Sequence, residues 1–186
     1  SFGSDASMVA DMVIKELEGL SSQGVFGAVK HFPGQGGVSG DSHDGAVTLD
    51  KSLEELMQTE LVPFQKALEN GVSFVMVGHI SVPQVVGDNT PASLSQMMVS
   101  NVLREQLGYQ GIVITDAMNM GAVTGNYTAD QAAVMAVNAG VDMILMPQDY
   151  ETAYNGLLQA VQDGTISEER IDESVERIVK VKLQMQ

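Results

Sequence analysis

Gly111-Ile112-Val113-Ile114-Thr115-Asp116 is a short apolar, β-branched run that stops abruptly at a carboxylate. Three other runs resemble it, at 25–29, 72–77 and 141–146. All four are continuous rather than alternating, the pattern of strands buried on both faces, and such strands belong to parallel sheets. Helical patterns fill the intervals. The segment 52–69 opens with Ser52 and Glu55 three residues on, a capping-box arrangement that predicts one helix. Further helices are predicted over 93–107, stopping at Gly108, over the alanine-rich 128–138, over 151–161 and over the amphipathic 167–183. Another precedes the first strand, over 4–20. The order is α, then β-α four times with the last α doubled, which implies an α/β fold with a parallel sheet and right-handed crossovers. A complete (β/α)8 barrel takes about 250 residues. The 186 residues and four strands therefore fit either an open doubly wound sheet or one half of a barrel.

Composition narrows the function. Hydrophobic residues make up 44% and charged residues 18%, the balance of a globular domain. The net charge is −15, which argues against nucleic acid and anionic membrane surfaces as partners, because both need clustered Lys and Arg. A neutral ligand such as a sugar is indifferent to that field. There is no cysteine, hence no disulfide, thiolate metal site or Cys nucleophile. No run approaches the ~20 apolar residues of a membrane span, and no signal peptide is visible. The chain opens at Ser1 rather than Met, so an upstream segment, and any targeting signal in it, is expected to have been removed or left out.

In parallel α/β folds ligands bind at the carboxyl ends of the strands. Here those ends read Lys30-His31, Gly78-His79, Thr115-Asp116 and Met146-Pro147. All three histidines of the chain lie at or just past a strand end, because His43 follows in the glycine-rich loop after the first strand. Asp116, set against apolar surroundings, suits a nucleophile or general base, or else a helix N-cap. His43, two residues from Asp41, suits a general acid that later turns base, or a solvent-exposed turn histidine. Lys30 and His31 can donate to ligand hydroxyls, or Lys30 can sit in an ion pair. His79 is either a ligand contact or a histidine bonded to the neighbouring loop. The same residue types can bind zinc, but no helical i, i+4 pair and no HExxH occurs. Gly34-Gln35-Gly36-Gly37 is followed by no Gly-Lys-Ser/Thr, so it is no phosphate loop.

Lys30-His31-Phe32-Pro33-Gly34, then Asp41-Ser42-His43, then Thr115-Asp116-Ala117-Met118-Asn119-Met120 after a strand, together resemble glycoside hydrolase family 3, within it the β-N-acetylglucosaminidase branch. The likeness covers essentially the whole chain. It implies the second half of a TIM-type (β/α)8 catalytic barrel over 1–186, about strands five to eight. It further implies that Asp116 is the nucleophile of a retaining reaction and that His43, with Asp41, is the acid/base. Lys30 and His31 would hold sugar hydroxyls, with His79 and Met118 at the same subsite. The substrate implied is a carbohydrate with a terminal β-linked N-acetylglucosamine, from peptidoglycan or chitin fragments. No cofactor and no metal is implied. A histidine acid/base leaves phosphorolysis open beside hydrolysis. The family usually reads Pro-Gly-His-Gly-Asp where this chain has Pro33-Gly34-Gln35-Gly36-Gly37. The expected partner is the other half-barrel. The rival reading is a non-catalytic half-barrel that binds glycan or self-associates. The compartment, bacterial cytoplasm or exterior, stays open.

Overall fold

The computed structural model describes residues 2–38 and 47–184. Three parallel strands, β1 (Ala28–Phe32), β3 (Phe74–Val77) and β5 (Ile112–Thr115), form a sheet in the order β1-β3-β5. Ala28 and Val29 lie opposite Phe74 and Val75, and Phe74 to Val77 pair residue by residue with Ile112 to Thr115. The β1 register shifts between Val29 and Phe32, where the Lys30–His31 and Phe32–Pro33 peptides are cis. The fourth apolar run follows β5 without becoming a regular strand. Met143 bridges Ile114, but the amide of Leu145 donates to the Thr115 hydroxyl (3.0 Å) instead of to a backbone carbonyl. That side-chain bond replaces a rung of the ladder and ends it.

A second parallel pair, β2 (Val47–Thr48) with β4 (Ile80–Ser81), was not expected from the sequence. The Leu49 amide extends it by donating to the Ser81 carbonyl at 2.9 Å.

Four helices fall near predicted segments: α1 (Ala6–Ser21), α6 (Ala129–Ala139), α7 (Tyr150–Gln162) and α8 (Glu168–Gln184); the short α4 (Pro83–Val86) and α5 (Gly121–Thr124) were not expected from the sequence. Two predictions need correction. The segment 52–69 is two helices, α2 (Leu53–Gln58) and α3 (Val62–Glu69). Pro63 stands in the first turn of α3; within one continuous helix its ring would meet the carbonyl four residues back and its missing N–H would break the ladder. The segment 93–107 is likewise split, into a 3₁₀ turn (Ala92–Leu94) and a π-wound helix (Met97–Gln106). The predicted capping box is present: the Glu55 amide donates to the Ser52 hydroxyl, and the Ser52 amide to the Glu55 carboxylate.

Core side chains lie between the sheet and the helices packed on it. Phe32, Val75, Val77 and Val113 from the strands share a core with Leu56, Met98 and Leu103 from the helices and Leu61 from the turn before α3, all fully buried. Phe32 and Phe64 pack edge to face at 5.4 Å between centroids. Beside β5 an ionic cluster clamps α8. The Asp142 carboxylate, wholly buried, takes Arg104 at 2.6 Å, Arg177 at 3.0 Å, the Ser174 hydroxyl at 2.7 Å and the Val113 amide at 2.9 Å. Arg170 adds bonds to the carbonyls of Val137 and Val141. Among the described residues, no helix is long and apolar enough to cross a membrane.

Candidate functional site

Three strands deliver their titratable residues to one end of the sheet. β5 ends at Thr115, and the Asp116 amide donates to the Val77 carbonyl at 2.8 Å, carrying the ladder one step past the strand. The chain then turns. The Ala117 amide donates to Asp116 Oδ1 at 2.8 Å, and the Met118 amide to the Leu145 carbonyl at 2.9 Å. One carboxylate oxygen is thereby fixed by its own turn. The other, Oδ2, faces His31 Nε2 at 3.4 Å. Both side chains are mostly buried, at 15% and 19% exposure, so their mutual electrostatics are only partly screened by water.

His31 owes its place to a glycine. A Cβ on Gly78 would stand 3.1 Å from the His31 Cβ, tighter than ordinary van der Waals contact, so a side chain at 78 would press His31 aside. Lys30 lies on the same strand with its side chain exposed.

His79 and Met118 are both almost wholly buried. His79 is 1% exposed, and both ring nitrogens are engaged by the protein: Nδ1 with the Ser93 hydroxyl at 2.7 Å, Nε2 with the Ala117 carbonyl at 3.0 Å. Burial lowers the pKa of this imidazole, against the opposing pull of the Ala117 carbonyl and the Asp116 charge. His79 thereby ties Ser93 to the turn that follows β5. Met118 is 3% exposed and packs in the main core, because the turn after Asp116 folds it inward against Val123 and Ile144.

Asp41 and His43 lie outside the described residues. Gly34 has φ +128°, a conformation that favours glycine, and a Cβ there would fall 2.7 Å from the Cβ of Glu60. The Glu60 carboxylate is ion-paired with Lys51 at 2.7 Å, and a Cβ on Gly37 would stand 2.7 Å from its Oε1. Burial works to raise the Glu60 pKa, yet bonds from Lys51 and Thr59 outweigh it and hold the carboxyl below its ordinary value.

No group of three or more metal-ligating side chains occurs among the described residues. An open groove of about 670 Å³ lies at the opposite end of the strands, beside Val72, Ser73, Tyr109 and Gly111, away from Asp116. The residues that sequence reasoning missed are Ser93 and Gly78. Gly78 precedes a histidine at a strand end, which was a usable signal; nothing in the spacing marks Ser93.

Comparison with known proteins places this arrangement. Residues 1–181 match the glycosyl hydrolase family 3 N terminal domain. A β-N-acetylglucosaminidase/β-glucosidase of Cellulomonas fimi is 32% identical, over 98% of this chain and 34% of that protein. A β-hexosaminidase (LpqI) of Mycobacterium tuberculosis is 35% identical, over 98% of this chain and 48% of its own length. The solved structure of a glycoside hydrolase family 3 β-N-acetylglucosaminidase from Paenibacillus superposes with a TM-score of 0.97 at 40% identity, covering all of this chain and 36% of that one. The chain thus spans about a third to a half of the length of these relatives. The likeness extends across every described element, so the parallel strands and their helices are of the TIM-barrel type. The chain belongs to glycosyl hydrolase family 3 and falls within its N-terminal domain.

Proposed function

We propose that this chain carries the reacting groups of a retaining β-N-acetylhexosaminidase and forms the second half of its catalytic barrel, about strands five to eight. Asp116 is the nucleophile. It attacks the anomeric carbon of a β-linked N-acetylglucosamine, and the bond to the leaving oxygen breaks. His43, oriented by Asp41, gives that oxygen a proton. His43 then takes a proton from water, which attacks the same carbon and frees Asp116, so two inversions restore the β configuration. Lys30 and His31 donate to sugar hydroxyls. The acid/base is a histidine, so the carboxylate-spacing rule of most glycosidases has no purchase here. The rest of the barrel, from the remainder of a longer protein, is the expected structural partner, and the substrate class is peptidoglycan- or chitin-derived.

The observation that carries this reading is the Asp116 carboxylate at the carboxyl end of β5, one oxygen fixed by the Ala117 amide and the other 3.4 Å from His31. Relatives named as β-N-acetylglucosaminidase and β-hexosaminidase support a terminal β-linked N-acetylhexosamine as the substrate. The test is turnover of a chromogenic β-N-acetylglucosaminide by the protein from its complete open reading frame. Asp116→Ala is expected to lower kcat by about three orders of magnitude or more, as when a group that acts in a covalent step is removed. Undiminished turnover would refute the nucleophile. A stable, inactive dimer of the wild-type chain that binds glycan would favour the non-catalytic reading.

A further inference from the structure

Ser93 and His79 lie behind the site and are absent from the mechanism above, yet both are almost wholly buried, at 0% and 1% exposure. Their bonding has a direction. The Ala117 carbonyl can only accept, so His79 Nε2, 3.0 Å away, must carry the proton. A neutral ring protonated at Nε2 has a bare lone pair at Nδ1, and the Ser93 hydroxyl, 2.7 Å away, donates to it. The opposite tautomer would set two lone pairs facing each other at Nε2 and the carbonyl. Ser93 is itself tied down, since its amide donates to the Gly78 carbonyl at 3.2 Å. The two residues therefore close a loop from the 3₁₀ turn at Ala92–Leu94, through the end of β3, to the turn that follows β5.

What this loop holds is residue 117. Its carbonyl is gripped by His79 while its amide donates to Asp116 Oδ1 at 2.8 Å. A residue pinned through both its carbonyl and its amide cannot rotate its flanking peptides without breaking one of the bonds. The orientation of the Asp116 carboxylate is set by one of them.

We propose that Ser93 and His79 form a positioning relay, in which the Ser93 hydroxyl fixes the His79 tautomer and His79, through Ala117, aims the Asp116 carboxylate at the reacting carbon. Neither residue touches substrate. The inference rests on Asp116 being the nucleophile, as argued above. Burial disfavours the imidazolium, which keeps the ring in the one neutral form that both partners accept. The relay acts on alignment alone, and misalignment of a reacting group lowers kcat with little effect on substrate affinity.

The test compares kcat and KM for a chromogenic β-N-acetylglucosaminide, per folded molecule by circular dichroism, in protein from the complete open reading frame. Ser93→Ala is expected to lower kcat about tenfold, the effect of losing one neutral hydrogen bond from the aligned state, with KM unchanged within about twofold. Ser93→Thr, which keeps the hydroxyl, recovers most of the rate. His79→Leu, lacking any donor, falls at least as far as Ser93→Ala, and His79→Gln, which offers an amide N–H to the Ala117 carbonyl, recovers part. Full kcat in Ser93→Ala or in His79→Leu would overturn the relay. So would a loss confined to KM, or one that Thr and Gln fail to restore. Asp116→Ala is measured alongside. If it is inactive while Ser93→Ala is fully active, only the relay falls; if it retains turnover, the nucleophile assignment and the relay fall together.

Discussion

Replacing Asp142 by alanine tests how α8 is held against β5. The wild-type carboxylate is wholly buried and receives four donors within 3.0 Å: Arg104, Arg177, the Ser174 hydroxyl and the Val113 amide. Arg170 stands 3.8 Å away as a third guanidinium. Burial lowers the pKa of Arg104 and Arg170, and in both the nearby Asp142 charge is what chiefly opposes it. Without Asp142, three guanidiniums face one another at 12–18% exposure with no carboxylate between them. The Val113 amide also loses its acceptor. Removing one partner of a buried ion pair costs about 3–5 kcal/mol. With a urea slope of about 2 kcal/mol per M, that moves the unfolding midpoint by about 2 M. Asp142→Asn retains an acceptor for the Val113 amide but no charge, so its midpoint falls between the two. The assay is equilibrium urea unfolding followed by circular dichroism. A shift of Asp142→Ala below about 0.5 M would show that the cluster contributes no more than an exposed pair, and the argument would fail.

Other outcomes follow from the same coordinates. Gly78→Ala puts a methyl 3.1 Å from the His31 Cβ; kcat for a β-N-acetylglucosaminide is expected to fall about tenfold or more as His31 leaves Asp116, while thermal stability changes little. Gly34→Ala combines φ +128° with a contact of 2.7 Å to Glu60 and should cost more than about 1 kcal/mol in urea unfolding. Tyr109→Phe removes the hydroxyl that donates to the Ser73 carbonyl (2.8 Å) or the Ile112 carbonyl (3.0 Å), a loss of about 1–2 kcal/mol by the same measurement. His79 supplies a pH signature. Its folded pKa lies below the ordinary 6.5, so the unfolded chain binds the extra proton first. Its contribution to stability is complete above about pH 6.5 and is lost as pH falls through that value toward the depressed folded one. His79→Gln should flatten the unfolding free energy as pH falls below 6.5 relative to wild type, and equal slopes would show that His79 does not titrate differently in the two states.

Much of this was legible before any coordinates. The runs at 72–77 and 111–114 contain strands because continuous β-branched stretches have few other buried homes, and Asp116 stands out because the latter run stops at a charge; the run at 25–29 was placed too early, since the strand there is Ala28–Phe32 and Val25 is half exposed. The pairing of Asp116 with His31 could not be read, since it depends on which strands become neighbours. The helix break at 59–61 was readable from Pro63 and went unread. So was the ionic cluster: Asp142 sits inside an apolar run, and a carboxylate there demands partners. The fourth strand failed for a subtler reason, a Thr115 hydroxyl that competes with the backbone for the Leu145 amide. Ser93 left no sequence trace, because a serine in a 3₁₀ turn looks like any turn serine until a histidine is found against it.

The central claim is that Asp116 becomes covalently bonded to sugar. A fluorinated N-acetylglucosaminyl fluoride that glycosylates the protein quickly and leaves it slowly would trap the intermediate, and digestion with mass spectrometry would locate it. One added sugar per molecule is expected, on the peptide containing Asp116 and on that side chain. A sugar found on any other residue, or full turnover with no trapped adduct, would contradict it.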